Sequence, residues 1–500
     1  MPPAVAVPEA APPQPESKVR VIYLPESERQ RIRDDVRQDL LETAKREGWS
    51  QPGGLPDWVR RLTFSGDLMV RGEGDFYASN NNGQFFNFQA INSGAPINTT
   101  PPPSGQPLAL PFLNTTEDRT LPRMRLRFGV NAQASEDLLI GLRFATGNAV
   151  NPVSTNQTLG SSFNKFSFLV DRAFLRYSPF DDWSFTLGRA PNPFSTAVDL
   201  VWDRDVSFDG LSMQWLHDSG ERQWRIATGG FSVENTDPNY PSNSLLKVHS
   251  HDKWLWGTQF ELTQQFAGDL SLRGALAYYD LVNVKGEISS PCYAPNTSVA
   301  CDTDDTRPAF SQKGNTLVAL RDLQLVNPTD AAFQYFGLAS PFQVASATMS
   351  FDAKLVGPLH LAFDVEYARN LAFDEQQVRD AQPVNNLGAC TPGVADCEQQ
   401  WEGGNTAYQA QVRIGHPVVR DPLRWQLALG YRYVESDALL DAFTDSDFHV
   451  GGTNAKGFFI GGSLGFAKNA SIGLRYLSAT EVSGPPLAAD VLQLDINARY

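Results

Sequence analysis

The last ten residues, VLQLDINARY, alternate without a fault: Leu492, Leu494, Ile496, Ala498 and Tyr500 fall on one side of an extended chain, Gln493, Asp495, Asn497 and Arg499 on the other. The same period of two begins after LPDWVRR and continues to the end. Leu62, Phe64, Leu68 and Val70 share a face opposite Asp67 and Arg71; Met124, Leu126, Phe128, Val130 and Ala132 lie opposite Arg123, Arg125, Arg127 and Asn131; Ile140, Leu142 and Phe144 lie opposite Arg143. Further strands are expected near 167–177, 183–190, 208–217, 222–232, 253–264, 269–280, 345–356, 358–369, 405–416, 424–434, 456–467, 470–479 and 489–500, about sixteen in all. Alternation alone fits a soluble sandwich as well as a membrane barrel. The connections decide between them. Short links (ASED, SPFDD, HDSGE, FAGD, LVGP, HPVVRDP, AKNA) take turns with long ones near 74–121, 148–165, 191–206, 233–252, 281–343, 371–404, 435–455 and 480–488. A sandwich has no reason to sort its loops by parity, whereas a meander through a bilayer has tight turns on the periplasmic side and long loops outside. The expected fold is all-β, an antiparallel transmembrane β-barrel over residues 58–500 in a bacterial outer membrane, with both termini in the periplasm.

A mean hydropathy of −0.31 and the lack of a long apolar run exclude a transmembrane helix. They say nothing against a barrel, whose lipid-facing residues occupy every second position. A net charge of −15 argues against a nucleic-acid partner, since neutralising phosphates needs a basic surface. Residues 1–18 read as a Pro/Ala-rich linker, and 19–50 as a periplasmic amphipathic helix opened by Pro25, striped by Ile32, Val36, Leu40 and Ala44, and closed by Gly48. That stripe is too narrow for a core helix, which leaves a solvated helix, a short coiled coil or a periplasmic anchor. The start, MPPAVAVPEA, has neither the charged head nor the apolar run of a signal peptide, so export implies a signal or start codon other than the one given.

The four cysteines form two short-range pairs within loops, Cys292 with Cys301 and Cys390 with Cys397, which points to two local disulfides and an oxidising compartment. Neither pair has zinc-ligand spacing beside a histidine. GGSLG at 461–465 matches a nucleophile elbow, yet alternation continues through Ser463, so no catalytic residue is expected. No metal or cofactor is expected either, DTDD at 302–305 and DSD at 445–447 lacking a complete calcium-loop pattern. Aromatics such as Trp254, Trp256, Tyr367, Tyr408, Tyr431 and Tyr476 sit near strand ends, where amphipathic rings meet headgroups.

EGWSQPGGLPDWVRRLTFSGDLMVRGEGDF, VDRAFLRYSPFDDWSFTLGRAPNPF, DLVWDRDVSFDGLSMQW and the closing INARY together resemble the bacterial outer-membrane porins annotated "putative porin", over most of residues 20–500. The resemblance implies passive diffusion of small hydrophilic solutes, often through homotrimers in a bilayer faced with lipopolysaccharide. Tyr500 resembles the terminal signal read by the outer-membrane assembly machinery. It also implies that the third external loop, GRAPNPFSTAVDLVWDRD, folds into the lumen as a constriction. Phe194, Val198, Leu200 and Trp202 would pack on the wall, while Asp199, Asp203, Arg204 and Asp205 face the pore. Opposite them an arginine ladder is expected from Arg71, Arg123, Arg125, Arg127, Arg143 and Arg189, with Arg172 and Arg176 as further rungs. Asp199, Asp203 and Asp205 facing Arg123, Arg125, Arg127 and Arg143 would set up a transverse field with a weak anion preference. A structural or adhesive barrel tethered to the cell wall by the N-terminal helix is the alternative.

Overall fold

The computed structural model describes residues 57–100, 110–242, 244–267, 269–327, 329–388 and 400–500. The linker and helix expected within 1–50 and the pair Cys390–Cys397 lie outside these residues. A helical turn, Asp57–Arg60, belongs to an N-terminal unit, and the barrel is the separate unit Thr63–Tyr500.

Among the described residues sixteen strands close into one antiparallel ring: β1 (Leu62–Tyr77), β2 (Arg119–Gln133), β3 (Leu138–Ala145), β4 (Leu169–Phe180), β5 (Trp183–Pro191), β6 (Ser207–Asp218), β7 (Arg222–Glu234), β8 (Lys253–Phe266), β9 (Leu270–Val282), β10 (Phe342–Lys354), β11 (His360–Asn370), β12 (Thr406–Gly415), β13 (Trp425–Val434), β14 (Ala455–Ala467), β15 (Ala470–Glu481) and β16 (Ala488–Arg499). Each strand pairs with its sequence neighbours. The seam is closed by β1 against β16, from Asp67 opposite Arg499 to Tyr77 opposite Ala489. Closure leaves no unpaired edge, the only way a sheet can sit in hydrocarbon with its backbone satisfied.

Side-chain burial is inverted relative to a soluble sheet. On β1 the charged Arg71 and Glu73 are 8% and 4% exposed while the apolar Val70 is 46% exposed; on β16 Gln493 is 1% exposed and Leu494 47%. Leu68, Leu126, Leu142, Leu211, Leu276, Leu429 and Leu474 are likewise exposed. A belt of bare aliphatic side chains around buried charge is stable only if the surroundings are lipid. Ser463 sits mid-strand on β14, paired with Gln426 and Gly473, so GGSLG forms no elbow.

The long loops, L1 to L8 in chain order, carry structure that alternation did not foretell. L1 and L5 pair through Ile97–Asn98 and Phe333–Gln334, and L5 makes its own ladder between Leu317–Ala319 and Phe336–Leu338. A disulfide joins Cys292 and Cys301 in L5. Short helices, Phe88–Ser93 in L1 and Glu375–Asp380 in L6, are capped by the side chains of Asn87 and Asp374. The apolar core lies inside the ring, where L3 packs on the inner faces of β6 to β9.

Candidate functional site: the loop across the lumen

L3 (192–206) leaves β5 and returns to β6 through the barrel interior. Phe194, Val198, Leu200 and Trp202 are buried there with Phe208, Phe231, Leu255 and Tyr279. The rings meet edge to face: Phe194 and Trp202 stand 5.0 and 5.2 Å from Tyr279, and Trp202 is 5.1 Å from Phe208. The wall makes room for this plug at Gly257, where a Cβ would stand 2.4 Å from the Phe194 ring. Polar pins fix the register. The Ser195 N–H donates to Gln259 Oε1 at 2.7 Å, Gln259 Nε2 donates to the Ser195 carbonyl at 2.8 Å, and Arg273 Nη1 donates to Ser195 Oγ at 3.1 Å.

The far end of L3 reaches β13, halfway round the ring from β5, where Arg432 Nη2 donates to the Asp199 carbonyl at 2.6 Å. The Asp199 carboxylate is taken by Arg204 of the same loop, 2.6 Å away, so it does not face the ladder. Asp203 does not face it either. Its carboxylate accepts the backbone N–H of Asp205 at 2.7 Å and of Ser446 at 3.3 Å, and its own N–H donates to the Phe443 carbonyl at 2.8 Å. Burial, aided by nearby Asp445, pushes the Asp203 carboxyl well above the usual range. Of the three acids only Asp205 meets an expected arginine: Arg127 Nη1 lies 3.0 Å from Asp205 Oδ1, while Oδ2 accepts the N–H and hydroxyl of Thr155 in L2 at 3.0 and 2.8 Å.

The arginines expected to form the ladder do point inward, but most are paired with acids of the wall. Arg71 binds Asp495 at 2.7 Å and Asp447 at 3.2 Å. Arg123 binds Glu73 at 2.9 Å, Arg125 and Arg127 share Asp67 at 3.0 and 2.7 Å, Arg143 binds Asp171, and Arg189 binds Asp209 at 2.7 Å. Sequence reasoning missed a second inward loop, L7. Its Asp445 and Asp447, weighed above only as calcium-loop candidates, meet Arg432 at 3.0 Å and Arg475 at 3.4 Å. The signal was in the same alternation that gave the ladder, for Arg432 and Arg475 occupy inward positions between Tyr431 and Tyr433 and beside Tyr476.

Beside the foot of L3, at Pro191, runs a cavity of about 650 Å³ lined by Arg127, Arg143, Arg172, Arg176, Arg420 and Arg499, with Asp67 the acid among its lining residues. Two of these arginines donate their Nε to hydroxyls, Arg172 to Ser207 (3.2 Å) and Arg176 to Thr186 (3.4 Å), and among the described residues neither has a carboxylate within ion-pair range. Their charge is thus left to meet a passing anion. Among the described residues no cluster has the make-up of a metal site.

A family model described as "Putative porin" matches residues 2–500. Solved structures similar to this chain include the outer-membrane channel DcaP of Acinetobacter baumannii (12% identity, TM-score 0.39, covering 88% of this chain and 97% of that one). Also similar are OmpF of Salmonella typhi in complex with daunomycin (11%, 0.41, 88% and 97%) and OprB of Pseudomonas putida (10%, 0.46, 88% and 95%). No curated protein matches the chain.

Proposed function

The chain belongs to the putative-porin family and is an outer-membrane channel, and on that premise we propose that it passes small hydrophilic solutes by diffusion, with preference for anions, through a lumen narrowed by L3. The observation that carries this reading is the cavity beside L3, where six arginines line the wall with one aspartate and, among the described residues, Arg172 and Arg176 lack acid partners. A wet lumen lets such charge exist, and low-dielectric walls focus its field on whatever passes. The net charge of −15 does not oppose this, because charge outside the lumen is screened beyond about 8 to 10 Å at physiological salt. Family resemblance supports three further parts of the reading: a homotrimer, contact with lipopolysaccharide, and recognition of Tyr500 by the assembly machinery.

The test is zero-current potential in a salt gradient across a planar bilayer. Natural protein should favour anions, Arg172→Gln with Arg176→Gln should weaken that preference, and Glu at both positions should shift it toward cations. Lys165→Glu, on exposed L2, should leave it unchanged. No conductance at all would remove the channel constriction reading, and an unmoved potential in the double Glu variant would remove the arginine wall from the solute path.

A further inference from the structure

A second cavity, of about 340 Å³, lies among the long loops and shares no lining residue with the arginine cavity. Phe85 and Phe88 of L1, Leu317 of L5 and Leu487 of L8 form apolar walls, and Lys313 and His449 bring the basic groups. Several neighbouring amides are already spent on tying loops together. Asn315 Nδ2 donates to the carbonyls of Ser436 and Leu439, Asn385 Oδ1 accepts the Leu317 N–H, and Asn386 Nδ2 donates to the Gly314 carbonyl.

Lys313 is different. His449 Nε2 lies 2.8 Å from the Leu487 carbonyl, which can only accept, so the ring proton is on Nε2 and Nδ1 is a lone pair that takes one N–H of Lys313 Nζ at 2.8 Å. Among the described residues the ammonium has no other acceptor within hydrogen-bond range and no carboxylate within ion-pair range. The acids facing it are Asp441 and Glu481. Glu481 is engaged by the Leu487 N–H at 2.6 Å and the Thr480 hydroxyl at 2.8 Å, and burial pushes Asp441 up to about 7. Two ammonium donors therefore look into a pocket with apolar walls and lack a full counter-charge. Burial pushes Lys313 itself down to about 7 against the pull of Asp441 and Glu481.

We propose that this pocket binds a small organic carboxylate with an apolar body, its carboxylate on Lys313 Nζ and its body against Phe85, Phe88, Leu317 and Leu487. The site stands on its own geometry and does not depend on which ions the lumen passes. Because a bound anion favours the charged amine, binding above pH 7 takes up a proton, and affinity should fall by up to about tenfold per pH unit there. His449 stays neutral throughout, since burial and the neighbouring Lys313 hold it well below its ordinary range.

The experiment is calorimetric titration of the full-length folded barrel in detergent with benzoate, and with benzamide as the uncharged counterpart. Saturable benzoate binding at pH 6.5, benzamide weaker by about tenfold or more, and a comparable loss in Lys313→Met support the site. Absence of saturable benzoate binding, equal affinity for benzamide, or unchanged binding in Lys313→Met overturns it. Should Lys313→Met not yield heat-modifiable barrel, the benzamide comparison and the pH dependence of the natural chain decide alone. Conductance of the same preparation keeps the two readings apart: lost benzoate binding with anion-preferring current removes only this pocket.

Discussion

A single missing side chain lets L3 into the barrel. Gly257 lies on the inner face of β8 between Leu255 and Gln259, and the Phe194 ring occupies the space its Cβ would take. Gly257→Val should cost about 1–3 kcal/mol of overpacking, relieved by lifting L3 off the wall rather than by breaking a ladder paired on both sides. Single-channel conductance should rise in that variant while heat-modifiability persists; unaltered conductance would mean that L3 does not limit the pore. Glycine was legible in the sequence, but its purpose was not, because Phe194 lies 63 residues earlier and nothing local marks the two as partners.

At the scale of elements, L3 behaves as a strut pinned at both ends and in the middle. Its two aspartates next to the β6 end hold it in opposite ways. Asp205 joins Arg127 on β2 to Thr155 in L2, so Asp205→Ala should leave Arg127 held by Asp67 alone, unpair the buried Thr155 N–H, cost about 1–3 kcal/mol, and increase current fluctuations. Asp203 accepts one backbone N–H on each oxygen and has its proton affinity raised by burial, so the neutral Asp203→Asn should keep the short bond from Asp205, forfeit only the longer one from Ser446, and cost at most about 1 kcal/mol with little change in current. Equal effects of the two variants would refute this division of labour. That L3 should turn inward is what the porin resemblance implied, with its interleaved apolar and charged residues suited to it, whereas nothing in the sequence pointed to its partnership with L7. That contact joins Asp203 to Phe443 and Ser446, elements separated by eight strands, and depends on how far each loop reaches across the ring.

For the whole molecule, the inverted burial makes a quantitative claim about the surroundings. Leu429, exposed on β13, should tolerate arginine badly: Leu429→Arg near the bilayer midplane should cost about 2–4 kcal/mol in urea unfolding from lipid vesicles. Arg432, three residues on and inward, is native on the same strand. No loss in Leu429→Arg would contradict a lipid-facing wall. Sidedness is tested by cysteine labelling in a variant without its natural thiols. Leu246→Cys in L4 should react with an impermeant reagent on intact cells and Lys468→Cys in the β14–β15 turn should not; the reverse result would invert the barrel. By itself the sequence determined the number of strands, the face each residue presents and the parity of the loops. These follow from a two-residue period and from turn length, properties that a strand carries locally whatever it packs against. Only the tertiary structure decided which acid holds which arginine. The ladder was read as free charge facing L3, but Arg71 pairs with Asp495 across the closing seam, Arg125 and Arg127 converge on Asp67, and Asp447 arrives from L7. Ring closure and loop reach bring these groups together, and neither leaves a mark within a short stretch of chain. The physical reason is range: periodicity is set by the backbone over a few residues, whereas a charge pair is set by a distance of about 3 Å between groups on different elements, tens to hundreds of residues apart.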